Sequence, residues 1–168
     1  LSTLTLSYMS TYASYLRFPE ENTLRHDAAL TASRQITRTA RLELSNDFLY
    51  TEEPLYDTED PLAEIDTTFR QDREPYYDNT ARLGLVNQFG PENSIELGYE
   101  YYFLRNDDPT VEDREHYIPS VAATYWVVPS RVGIESELSY TKREFDVSEN
   151  YNDISGRLRL TRRINPHF

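Results

Sequence analysis

Cysteine is absent from the 168 residues of this chain. That excludes a disulfide framework, thiolate zinc sites and c-type haem attachment within it. Long apolar runs are also missing. Mean hydropathy is -0.71, and no stretch approaches the ~18 consecutive apolar residues of a membrane helix. Cations are scarce beside acids: 17 Lys and Arg stand against 29 Asp and Glu, for a net charge of -12. Nucleic acid is therefore not expected as a partner, because phosphate contacts need clustered cations. No Gly-x-Ser-x-Gly, phosphate loop or His-Glu-x-x-His occurs. His26, His116 and His167 lie far apart, with no acidic or nucleophilic partner at a telling spacing. The expectation is a protein that is not an enzyme and carries no cofactor or metal.

What the chain does have is alternation. In SIELGYEYYFLR, residues 94–105, Ile95, Leu97, Tyr99, Tyr101 and Phe103 fall on one face and Glu96, Gly98, Glu100, Tyr102 and Leu104 on the other. A strand places successive side chains on opposite faces, so this spacing makes a ribbon with one apolar side. Similar ribbons are predicted at about 4–17, 24–36, 39–51, 76–89, 131–145 and 151–163, with another ending in SVAATYWVV. Eight strands result. Alternating apolarity also explains how such segments escape a membrane-helix test.

The connections alternate as well. Those after the second, fourth, sixth and eighth strands are tight and hold Thr37-Arg38, Gly-Pro-Glu-Asn (90–93), Pro129-Ser130 and Asn165-Pro166. Those after the first, third, fifth and seventh are longer and acidic, the longest spanning about residues 52–74. Antiparallel neighbours put alternate connections at opposite ends, so one end is trimmed and the other elaborated. That asymmetry fits an up-and-down transmembrane barrel better than a Greek-key sandwich.

Parity then assigns faces. Arg41, Glu43, Arg82, Glu96, Glu100, Glu135, Glu137, Arg157 and Arg159 are expected to face a lumen. Leu42, Leu44, Leu83, Leu85, Ile95, Leu97, Tyr99, Tyr101, Val121, Tyr125, Ile134, Leu138, Leu158 and Leu160 are expected to face lipid. Opposed unlike charges on the seventh and eighth strands make either a structural ladder or a surface that selects charged solutes. Tyr is abundant, at 14 residues. Tyr76, Tyr77, Tyr99, Tyr101, Tyr117, Tyr125, Tyr140 and Tyr151 suit an aromatic girdle at the bilayer boundary, or simply the strand preference of Tyr. Asp57, Glu59, Asp60, Glu64 and Asp66 invite a calcium interpretation, but their spacing matches no defined loop. A solvated acidic loop is expected there. His26 shares the apolar parity of its strand, which suggests either the membrane boundary or a register slip.

The segments NTARLGLVNQFGPENSIELGYEYYFLRNDDPTVED, PSVAATYWVVPSRVGIESELSYTKREF and LRLTRRINPHF, within residues 78–168, resemble the outer-membrane β-barrel porins of Gram-negative bacteria. In particular they resemble the β-barrel family associated with exopolysaccharide and sorting loci in proteobacteria. The resemblance rests on strand-and-turn texture and brings no catalytic residues. It implies a bacterial outer-membrane location and a barrel larger than this chain. Phe168 follows Asn165-Pro166, which suggests a turn into a further strand, and the chain opens without Met or a signal peptide. The expectation is thus a single β-barrel domain, or barrel segment, over residues 1–168. Its partners would be outer-membrane lipid, small polar solutes or polysaccharide, and a protein in the lumen or periplasm. Porin-like passage leads. The alternatives are a scaffold barrel that sheaths an electron-transfer or export component, and a soluble Tyr-rich β-sandwich that binds carbohydrate.

Overall fold

The computed structural model describes residues 2–17, 22–52, 75–108, 111–128 and 131–162. They form eight strands: β1 (Ser2–Ala13), β2 (Thr23–Gln35), β3 (Ala40–Thr51), β4 (Tyr76–Gln88), β5 (Ser94–Asn106), β6 (Arg114–Val128), β7 (Val132–Phe145) and β8 (Tyr151–Arg162). Each pairs antiparallel with its sequence neighbours in one sheet ordered β1 to β8. The sheet is not closed: among the described residues β1 and β8 each leave one edge unpaired. No second layer of described residues packs on either face. A carbohydrate-binding sandwich requires a facing sheet, so that alternative fails for the described residues.

The strands end where side chains take over backbone hydrogen bonds. In the β2–β3 turn, Thr37 Oγ1 accepts from the Ala40 N–H at 2.9 Å, while Ile36 N–H donates to the Ala40 carbonyl at 2.9 Å. In the β4–β5 turn, Phe89 N–H reaches the Asn93 carbonyl at 3.0 Å, and Gly90 takes a φ of 78°, a conformation that favours glycine. Strand β1 stops at Ala13 rather than Arg17, because Asn22 Oδ1 captures the Tyr15 N–H at 2.7 Å and bends the chain. Near the end of β6 the register shifts between Trp126 and Val128. This bulge leaves Val127 without a partner in the β6–β7 register. The acidic segment 53–74 and the Pro129-Ser130 and Asn165-Pro166 turns lie outside the described residues.

Register places a row of mostly small residues across the polar face. It runs from Thr3 through Ser33, Glu43, Gly84, Gly98, Ser120 and Ser139 to Ser155. Small side chains along that line let the sheet bend toward this face, and the polar face is the concave one. It encloses a trough of about 630 Å³ lined by residues from β1 to β7. The same row enters β1 one residue from its short-connection end and leaves β8 seven residues from that end, a drift of six residues over seven strand steps. With ~3.4 Å per residue and ~4.8 Å between strands, this drift tilts the strands by about 30°. Barrel walls show such a stagger, with tilts near 35–45°.

Candidate functional site: the two faces of the sheet

Cross-strand partners share a face, so the registers settle the parity of every expected residue. One paired row holds Gln35, Arg41, Val86, Glu96, Ala122, Glu137 and Arg157. All nine residues expected on the charged face lie on it. All fourteen expected on the apolar face lie opposite, in rows such as Leu42–Leu85–Leu97–Val121–Leu138 and Ile134–Leu160. Nothing in the described chain covers them: Leu97 is 52% exposed, Leu138 52% and Leu158 72%. From Ile95 to Phe103 the apolar face of β5 runs for about 27 Å along the strand, or ~23 Å once tilted. That is close to the ~25 Å lipid-facing band of outer-membrane barrels.

The concave face is laced by ion pairs. Arg41 Nη2 meets Glu43 Oε1 at 2.6 Å, and Arg157 Nη2 meets Glu137 Oε2 at 2.5 Å. Arg159 Nη1 lies 3.6 Å from Glu135 Oε2, with Thr161 Oγ1 donating to Glu135 Oε1 at 3.4 Å. Arg82 bridges two acids, Glu100 at 2.7 Å and Asp47 at 3.2 Å. The expected β7–β8 ladder is present, with Glu135 opposite Arg159 and Glu137 opposite Arg157. These side chains are largely exposed, so each pair contributes at most about 1 kcal/mol. Glu96 has no ion-pair or hydrogen-bond partner among the described residues.

Aromatic rings collect on the apolar face at the long-connection end. Tyr8, His26 and Tyr50 form one run, with centroids 5.9 and 5.7 Å apart, and Tyr8 Oη lies 2.7 Å from His26 Nδ1. Tyr77, Phe103, Tyr101 and Tyr117 form a second, with steps of 6.4, 5.8 and 5.1 Å. The Glu115 carboxylate accepts from the Tyr101 and Tyr117 hydroxyls and from Arg105. Rings that anchor polar groups at one height suit an interface between hydrocarbon and water. His26 belongs to this belt, and its register did not slip. Tyr76 and Tyr151 depart from the girdle expectation. Paired with Thr51 and Arg143, they lie on the polar face.

Three arrangements were missed from sequence. Asn46 and Asn79 exchange reciprocal amide hydrogen bonds of 2.9 and 3.0 Å on the apolar face. Trp126 covers Gly133, where an added Cβ would stand 3.0 Å from two ring carbons. Tyr102, His116, Phe145 and Tyr151 form a ring stripe on the polar face, with centroid steps of 5.1, 6.3 and 5.9 Å. Each joins residues on different strands, and of that stripe only Tyr102 was placed on the polar face from sequence. Among the described residues no group of His, Asp and Glu could hold a metal ion. The acids considered for calcium, Asp57 to Asp66, lie outside them.

No family model matches the chain, and no curated protein matches it. Among solved structures it is similar to a chain described as a TodX deltaS2S3 mutant monoaromatic hydrocarbon channel, at 9% identity and a TM-score of 0.40. That match covers 98% of this chain and 64% of the channel's own length.

Proposed function

We propose that this chain is wall of an outer-membrane β-barrel through which polar solutes or a glycan pass. One observation carries the proposal: an eight-stranded sheet exposes an apolar face with no cover from the described chain, and along the middle of the strands keeps its charges on the concave side. Arg34, Arg105, Glu115, Lys142, Glu144 and Arg162, of the apolar parity, lie near strand ends. A single layer of this kind cannot bury its apolar face by itself. Lipid supplies the cover, and the belt at one end sets the depth of immersion. Backbone groups at the β1 and β8 edges also need partners within hydrocarbon, so barrel closure accompanies insertion.

Planar-bilayer conductance of the intact polypeptide tests the proposal. Discrete current steps are expected, and silence from protein that has inserted would sink the pore. Ion preference then probes the ladder. In Glu135→Gln combined with Glu137→Gln, Arg159 and Arg157 lose their counter-charges. The cation-to-anion permeability ratio should fall by about twofold or more, since fixed charges in a low-dielectric passage act on every passing ion. An unchanged ratio would mean that these four side chains do not meet the conducting water.

A further inference from the structure

We infer that the middle of the concave face is a subsite for a polyhydroxylated cation, a solute of the amino-sugar type. This rests on the lumen assignment above and adds to it a place and a solute class. Gly84 and Gly98 are direct cross-strand partners, so two adjoining strands present bare backbone at one spot. Ser120 Oγ leans into the space that a Gly98 Cβ would occupy. The trough over this floor measures about 630 Å³, within the ~300–1,000 Å³ of small-ligand sites.

Its lining matches hydroxyl-rich solutes. Ser33, Ser45, Ser120 and Ser139 border it, and each hydroxyl both donates and accepts. Thr3 and Ser33 already bond each other at 2.7 Å, as do Ser139 and Ser155, so the hydroxyls stand in oriented pairs. The charged lining is four carboxylates and one guanidinium. Glu43, Glu100 and Glu137 are engaged by Arg41, Arg82 and Arg157. Glu96 is not engaged, and its Oε1 lies 3.9 Å from where a Gly84 Cβ would stand. The missing side chain at Gly84 thus leaves an unneutralised carboxylate beside the floor. A solute with hydroxyls and an ammonium group satisfies both features, whereas an acidic sugar meets an excess of negative charge.

Titration calorimetry on the full polypeptide in detergent tests this with three trisaccharides: glucosamine, maltose-type glucose and galacturonate. The glucosamine trimer should bind about tenfold or more tightly than the galacturonate trimer. Glu96→Gln should weaken the glucosamine trimer about threefold to tenfold and leave the glucose trimer unchanged, since an exposed charge contact carries that much. Gly84→Val should weaken both trimers about tenfold or more. Its Cβ meets nothing nearer than 3.8 Å, so the strand accommodates it while the floor fills. Equal binding of amine and acid trimers, or indifference to either substitution, would overturn the subsite. Conductance separates the two claims. Binding without current removes the pore and leaves the subsite, and current without binding does the reverse.

Discussion

Leu97→Arg is expected to abolish assembly into the outer membrane, while Glu96→Arg assembles normally. The two positions adjoin in β5 but point to opposite faces, so the contrast isolates direction from local backbone effects. Leu97 sits between Leu85 and Val121 in the apolar row, about a quarter of the way along the band from Ile95 to Phe103. A guanidinium on the lipid face costs about 2–4 kcal/mol at the bilayer midplane and less toward either boundary, which at Leu97 still removes a substantial share of a typical 5–15 kcal/mol of folding stability. Glu96 sits between Val86 and Ala122 on the concave face, where a cation meets water and nearby carboxylates. Fractionation of membranes, with heat-modifiable gel mobility as the folding readout, measures both variants. Equal tolerance would contradict a lipid-covered apolar face. Equal loss would point to a protein layer on both faces.

Trp126→Ala is expected to destabilise the folded protein by about 2–4 kcal/mol, near the lower part of the range for losing a buried large aromatic ring. Trp126 is only 9% exposed in a sheet that is otherwise mostly open. Its ring lies over Gly133 on β7, while its backbone N–H, which the alanine keeps, donates to Asn93 Oδ1 at 2.8 Å and ties the β4–β5 turn to β6. Removing the ring uncovers bare backbone at a glycine that has no side chain of its own to pack. Gly133→Ala should cost about 1–2 kcal/mol for the opposite reason, since the new methyl presses on the ring. In the double variant the alanine at position 133 should become neutral or helpful, because the ring that it clashed with is gone. Urea unfolding in detergent micelles, followed by circular dichroism, provides the cycle. Strict additivity would show that ring and glycine do not communicate.

Face parity was the legible part of this fold. Alternation in β5 is a local property, and one residue of error would have turned Leu97 toward Glu100. The eight strands and their up-and-down order were legible too, because turn chemistry at Thr37 and Gly90 punctuates the alternation. Lateral neighbours were less so. That Gly84 faces Gly98, or that Trp126 covers Gly133, depends on where each hairpin closes, and a β-bulge intervenes in the second case. The overrun of β1 has a similar cause. Tyr12, Tyr15 and Leu16 keep a strand-like composition, whereas the bend comes from the side chain of Asn22, seven residues beyond Tyr15. His26 looked out of place until Tyr8 and Tyr50 were found beside it. A polar ring between two phenols is unremarkable where hydrocarbon gives way to headgroups.

Among the described residues each strand touches only the strand before it and the strand after it in sequence. In the proposed barrel, circumference is therefore decoupled from the construction of any one hairpin. Duplicating or deleting a hairpin would widen or narrow the opening without disturbing the residues elsewhere, as happens when units are added to a linear repeat array. Diameter in such a molecule is a quantity that evolution can change by counting.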